Sequence, residues 1–299
     1  MESIRSVGGC QGRNSPRGGA PPRCAPPRPS RKSRYHDRRA LLSPVVGDVR
    51  VEVDAGVAVV VIDRPEVRNA IGFATVDELH AALDDVLESG AAVVVVRGGG
   101  DRAFVSGGDL KELSAIRTHT DAVAMASRVR GLLDRVASFP LPVIAALNGH
   151  ALGGGAEVAV AADIRIAADD VKIGFNQVSL GIMPAWGGAE RLAQVVGRGR
   201  ALLAIATGNV YDAKAAHDLG LVDLVVPRAT FDDEWQALAG RMAATAPGTS
   251  RAVKAVVAAA APSIHPELEA DATDVFARLW MGDAHWAAVE AMEHHRRPG

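Results

Sequence analysis

From residue 49 onward, short valine-rich runs alternate with longer stretches whose apolar residues recur at helical spacing. "VRVEVDAGVAVVVID" (49–63) predicts two strands around a turn at Asp54–Gly56. The first alternates apolar and polar positions, as a half-buried strand does, and the second is nearly continuous, as a fully buried one is. "TVDELHAALDDVLES" (75–89) predicts an amphipathic helix opened by a capping box of Thr75 and Glu78. "AAVVVVRGGG" (91–100) predicts a buried strand ending in glycines, and "TDAVAMASRVRGLLDRVASF" (120–139) a helix stopped by Pro140 and Pro142. "PVIAALNG" (142–149) predicts another strand, and "IRIAADDVKIGF" (164–175) a strand pair around Asp169–Asp170.

Beyond about residue 187 the pattern turns helical. "GGAERLAQVVG" and "RALLAIATG" each end on glycine, a common helix stop, and "LVDLVV" (221–226) interrupts them as a strand. Strands mixed with helices early and helices late predict an α/β core with a helical C-terminal region. The boundaries expected are a tail at 1–46, a core at 47–209 and a C-terminal region at 210–299. The last helix carries His294, His295, Arg296 and Arg297, a cationic end that suits the helix dipole.

Charge separates the tail from the body. The first forty residues hold ten Arg or Lys against Glu2 and Asp37, giving +8, so a chain of net −2 leaves −10 on the remainder. An acidic body is a poor nucleic-acid binder, and a basic Pro/Gly-rich run reads as disordered. Both cysteines, Cys10 and Cys24, lie in the tail, which excludes a disulfide framework or a cysteine metal site from the body. No apolar run reaches the length of a membrane span and no signal-like stretch follows Met1, so a soluble cytoplasmic protein is expected.

The candidate chemistry lies in two glycine-rich stretches. In "HALGGGAEVAVAAD" (150–163), three glycines open an apolar helix that carries a single carboxylate, Glu157. Buried there, Glu157 would have the raised pKa that a general acid or base near neutrality needs. A buried salt bridge to Arg165 or Arg191 is the structural alternative. "AFVSGGDLKEL" (103–113) likewise puts glycines just before a short helix. Two such helix starts brought together could supply one backbone N–H each to an oxyanion. Asp163 and His150 are expected to be structural or exposed.

Other site classes find no footing. No GxSxG, HExxH or Walker A pattern occurs, so no metal is expected. "RGGG" and "NGHALGGG" mimic a dinucleotide loop, but neither gives GxGxxG in register, which disfavours a Rossmann-type dehydrogenase.

"IDRPEVRNA" (62–70), "AFVSGGDLKEL" (103–113), "NGHALGGGAEVAVAADIRIAA" (148–168) and "GIMPAWGGAERL" (181–192) together resemble the enoyl-CoA hydratase/isomerase (crotonase) family. The likeness spans about residues 48–299 and leaves out the tail. It implies a spiral of ββα units, C-terminal helices that assemble homotrimers or hexamers, and an acyl-CoA thioester substrate, with CoA part of the substrate and no separate cofactor. By motif position it implies thioester polarisation by the N–H groups of Gly108 and Gly154. It further places Arg64, Arg68 and Ala70 near the CoA adenine and phosphates, with Gly107 and Asp109 counted beside them.

Glu157 matches the first of the two glutamates that the family's hydratases use, while Gln177 stands where the second is expected. A glutamine can position a water but cannot accept its proton. The resemblance therefore implies enoyl-CoA hydratase/isomerase chemistry on a 2-enoyl- or 3-enoyl-CoA, of the kind used in fatty-acid metabolism. An alternative is decarboxylation of a short alkylmalonyl-CoA (ethylmalonyl- or methylmalonyl-CoA), since "GIMPAWGG" is similar to that branch. A non-catalytic CoA-binding protein is the reading from a different class.

Overall fold

Burial of the valine runs organises the computed structural model, which describes residues 40–41, 47–260 and 266–296. β1 (Ala40–Leu41) pairs with β2 (Val49–Asp54), which turns into β3 (Val57–Ile62) in antiparallel register, Val53 opposite Ala58. Ala55 (φ 47°) and Gly56 (φ 80°) supply the positive φ that a tight hairpin needs. All six residues of β3 are buried. Each large apolar side chain so removed from water contributes roughly 1.5–3 kcal/mol.

α1 (Phe73–Glu88) follows, burying Val76, Leu79, Leu83 and Val86 at helical spacing. It begins two residues earlier than expected, because Thr75 and Glu78 do other work. The Thr75 hydroxyl donates to Asp48 at 2.6 Å, and the Glu78 carboxylate accepts from the Val49 N–H at 2.9 Å. Thr75 also caps the helix from its third position, accepting from the Gly72 N–H at 3.3 Å, and with Glu78 it ties the helix to the start of β2.

β4 (Val93–Gly98), β5 (Ala103–Val105), α2 (Leu110–Leu113) and α3 (His119–Ala137) form one unit of the spiral. The next is β6 (Val143–Leu147), β7 (His150–Leu152) and α4 (Gly154–Ala161), and the third opens with β8 (Ile164–Ala168) and β9 (Lys172–Gly174). α5 (Gly188–Val196), α6 (Arg198–Thr207), β10 (Val210–Asp212), α7 (Ala213–Leu219), β11 (Leu224–Val226), α8 (Phe231–Ala243), α9 (Thr249–Ala259), α10 (Pro266–Trp280) and α11 (Asp283–Arg296) complete the chain.

The strands divide between two sheets, ordered β1-β2-β3-β4-β6-β8-β11 and β10-β9-β7-β5. The strand pair expected around Asp169–Asp170 is present as β8 and β9, and because successive strands of a unit enter different sheets, the two do not pair with each other. β8 lies beside β6 and β9 beside β7, both parallel. The expected boundary at 209/210 also cuts through the sheets: β10 pairs with β9, and β11 with β8. The expectation for the basic tail lies outside the described residues, apart from β1, and so do Arg297 and the side chains of His295 and Arg296.

Candidate active site

Three neighbouring parallel strands, β5, β7 and β9, deliver the candidate residues. Gly107–Asp109 follow β5, Gly153–Gly154 follow β7, and Phe175–Gln177 follow β9, so all three leave the same end of the small sheet. The ends of parallel strands are where open α/β sheets place their ligands.

A parallel bridge fixes the first loop. The Ile71 N–H donates to the Gly107 carbonyl at 2.8 Å and the Asp109 N–H to the Ile71 carbonyl at 2.9 Å, which leaves the N–H of Gly108 on the opposite side of the chain. The second loop turns through Gly153 at φ 56°, ψ −120°, a conformation open to glycine. The loops nearly touch: a Cβ on Gly107 would sit 3.4 Å from the Gly154 nitrogen. Neither the Gly108 nor the Gly154 N–H has a protein acceptor among the described residues. Both residues line a cleft of about 1110 Å³, together with Glu157, Gln177 and Trp186.

The three glycines therefore have separate reasons. Gly153 makes the turn. A Cβ on Gly154 would collide with the indole of Trp186, and one on Gly155 with the Val105 carbonyl of β5. At Gly154 and Gly155, then, a side chain is excluded by the protein's own packing.

Glu157 lies one helical turn after Gly154, so both sit on one face of α4. It is 2% exposed. Its Oε2 accepts from the N–H groups of Trp186 (2.8 Å) and Gly188 (2.9 Å), and its Oε1 from the Gln177 side-chain amide (2.9 Å). Burial pushes its pKa up to about 7, against the lowering pull of the Gly188 and Trp186 amides and of Gln177, with the Glu190 charge adding to the rise. The salt-bridge alternative does not hold. Arg165 pairs with Asp223 at 2.7 Å and donates to the Leu221 and Ala162 carbonyls. Arg191 pairs with Asp134 and donates to the Trp186 carbonyl at 2.9 Å, which steadies the loop that holds Glu157.

Gln177, 8% exposed, spends its amide nitrogen on Glu157. Its Oε1 is buried with no partner among the described residues. A water donating to that oxygen would lie beside the carboxylate. Two unpaired backbone donors, one carboxylate poised near neutrality and one free acceptor can together take up an oxyanion and move a proton next to it.

Of the residues expected around CoA, Arg68, Ala70, Gly107 and Asp109 line the cleft. Arg64 departs from the expectation. Its guanidinium donates to the Ala70 carbonyl (2.7 Å) and Asp109 (3.0 Å) and pairs with Asp48 (3.2 Å), so it braces the loop from within. Asp109 divides its carboxylate between Arg64 and the N–H of Lys111, at the start of α2. Asp163 is structural, accepting from the Val143 N–H and pairing with Lys254, both at 2.7 Å. His150 is exposed and accepts from the Lys172 N–H.

Sequence reasoning missed two buried asparagines that shape these loops. Asn69, at φ 56°, donates to the Gly99 and Ala103 carbonyls and accepts from the Arg64 N–H. Asn148 bonds the N–H and carbonyl of Gly98 and the carbonyl of Gly100. For Asn148 the available signal was its place between the end of β6 and Gly149, and Asn69 carried no comparable one. The C-terminal residues Phe276, Trp280, His285 and Met292, which line the cleft, were missed as well.

A two-sheet spiral that sets paired backbone amides beside a buried carboxylate is the architecture of crotonase-fold enzymes. The family model for enoyl-CoA hydratase/isomerase matches residues 52–285. A probable enoyl-CoA hydratase of Bacillus subtilis (strain 168) is 38% identical over 203 residues, covering 67% of this chain and 78% of the relative. A short-chain-enoyl-CoA hydratase of Clostridium acetobutylicum is 35% identical over 208 residues, covering 68% and 77%. The crystal structure of carnitinyl-CoA hydratase from Mycobacterium avium superposes with a TM-score of 0.72 at 32% identity, covering 84% of this chain and 97% of that one. The chain belongs to the enoyl-CoA hydratase/isomerase family and is an enzyme of its lyase or isomerase type. The decarboxylase alternative finds no support among these relatives.

Proposed function

We propose that the enzyme moves the double bond of a 3-enoyl-CoA to the 2-position, with Glu157 as its one acid/base group. The observation that carries this is the pairing of Glu157 with an amide, Gln177, in place of a second carboxylate. Glu157 takes a proton from C2, and the electron pair moves onto the thioester oxygen as an enolate. The N–H groups of Gly108 and Gly154 hold that oxygen, a service worth about 2.7–4 kcal/mol per donor in comparable sites. The same proton then passes from Glu157 to C4 as the carbonyl re-forms, which leaves a C2–C3 double bond. A pKa of about 7 populates both the accepting and the giving form.

Hydration of a 2-enoyl-CoA is the second reading. The free Oε1 of Gln177, where a water can dock beside Glu157, favours it, and so do the names of the relatives. Purified enzyme supplied with a 3-enoyl-CoA and with crotonyl-CoA, products identified by mass, decides between them. Isomerisation faster than hydration supports the first reading, and the reverse order replaces it with the second.

Further expectations accompany this reading. Arg68 and Lys111, at the cleft, suit the phosphates of CoA, which is part of the substrate and leaves no separate cofactor. Homotrimers, or hexamers made of them, would cover the apolar side chains that α6 and α9 expose, Leu202, Leu203, Val253, Val256 and Val257. No helix among the described residues is long and apolar enough to cross a membrane, and a cytoplasmic location, with no membrane or nucleic-acid partner, fits that and the acidic body.

A further inference from the structure

α11 contributes a histidine to the cleft wall. His285 is 2% exposed and lines the cleft beside Leu180, Phe276, Trp280 and Met292. Its ring lies 4.4 Å from Trp280 and 4.8 Å from Trp286, centroid to centroid, and the Arg117 guanidinium stacks 3.6 Å over the Trp286 ring. Trp280 is itself anchored by its indole N–H on the Ile116 carbonyl at 3.2 Å. The imidazole therefore has little rotational freedom.

Its hydrogen bonding fixes the tautomer. Nδ1 lies 2.7 Å from the Leu180 carbonyl, which can only accept, so Nδ1 carries the proton. Burial, assisted by the Arg117 charge, holds the ring below the ordinary histidine range, hence neutral near pH 7. Nε2 then presents a lone pair, and it is buried with no partner among the described residues. Leaving such an acceptor unpaired carries a desolvation penalty that a phenylalanine or leucine here would not incur. Retaining it makes sense where a ligand completes the bond.

We propose that His285 is a recognition residue for the acyl group, its Nε2 accepting a hydrogen bond from a hydroxyl carried on the substrate's acyl chain. The inference rests on the acyl-CoA reading above. A lone-pair acceptor selects an O–H or N–H donor and rejects a carboxylate. The apolar neighbours Leu180, Phe276, Trp280 and Met292 suit a chain rather than phosphates. A site built to bond a substrate hydroxyl discriminates strongly against the analogue that lacks it, because its own polar atom is then left unpaired.

The test is calorimetric binding of CoA, hexanoyl-CoA and hexanoyl-CoA hydroxylated at each carbon beyond the third in turn. One hydroxylated isomer is expected to bind wild-type enzyme at least roughly tenfold more tightly than hexanoyl-CoA. That ratio should collapse in His285→Phe and survive in part in His285→Gln, which keeps an acceptor. Should His285→Phe fail to fold, imidazole nitrogen NMR of the wild type supplies the readout, because the Nε2 resonance must move on adding the preferred isomer. Absence of any preferred isomer, a ratio unchanged in His285→Phe, or an unmoved Nε2 resonance overturns the proposal. Equal loss of CoA itself overturns it in favour of a bond to a pantetheine amide. Binding selectivity without turnover of enoyl-CoA would defeat the proposed reaction and leave this inference standing, and turnover without selectivity would do the opposite.

Discussion

The side-chain amide of Gln177 donates to the Glu157 carboxylate at 2.9 Å, so the residue proposed to stand where a second acid would be holds this carboxylate in place. Burial raises the Glu157 pKa to about 7, against the lowering pull of this bond and of the Gly188 and Trp186 amides. Glu157→Gln should therefore lower turnover of any enoyl-CoA by at least roughly 100-fold, the usual range for losing a general acid/base. Steady-state rates beside a circular-dichroism spectrum check this. An unchanged rate removes Glu157 from the chemistry.

The same residue predicts two pH effects of opposite sense. As a base, Glu157 works ionised, so kcat/KM should rise with pH through about 7. Stability should move the other way. The folded pKa of about 7 lies above the ordinary carboxylate value of 4.5, so the folded chain binds more protons between them. The contribution is fully present below about 4.5 and is lost as pH rises to about 7, by roughly 3 kcal/mol. Denaturant midpoints across that window should fall in the wild type and flatten in Glu157→Gln.

Gln177→Glu tests the division of labour directly. A second carboxylate at 177 could share one water with Glu157, one group taking a proton and the other giving one. The ratio of crotonyl-CoA hydration to isomerisation should rise by about tenfold, read by product mass. A ratio that does not move would assign the choice of reaction to the shape of the pocket.

Much of this was legible in the chain because few physical solutions exist. Three glycines before an apolar helix with one carboxylate leave little room for a surface role, and the valine runs of β3 and β4 admit little but buried strands. What stayed hidden depends on which groups meet in three dimensions. That Thr75 would serve Asp48, that Arg64 would turn inward to Asp109, and that β8 and β9 would part into different sheets are long-range choices no local window contains. The C-terminal wall escaped notice for the same reason, since His285 reaches Leu180 across more than a hundred residues.

Gly155→Ala separates packing from chemistry within the glycine triplet. A methyl group there meets the Val105 carbonyl, a backbone atom fixed in β5, so neither partner can yield cheaply. Overpacking of this kind costs about 1–3 kcal/mol. The melting temperature should drop by several degrees, with the remaining folded enzyme keeping most of its kcat. Loss of kcat at full stability would instead mean that residue 155 acts on the reacting groups.

Arg64 and Arg68, four residues apart, should fail in different ways. Arg64 is tied to Asp48, Asp109 and the Ala70 carbonyl, so Arg64→Ala leaves two carboxylates and a carbonyl without their donor and should lower stability by about 2 kcal/mol or more. Arg68 lies at the cleft, and its left-handed backbone (φ 58°) is supported from the next residue by the buried Asn69. Arg68→Ala should therefore keep the melting temperature and raise KM for the thioester about three- to tenfold, more at low salt than at high, as removal of a charge contact to phosphate does. Thermal melts and KM at two ionic strengths, run on both variants, check the split. If Arg64→Ala raised KM at unchanged stability, the inward bracing role described for that guanidinium would be wrong.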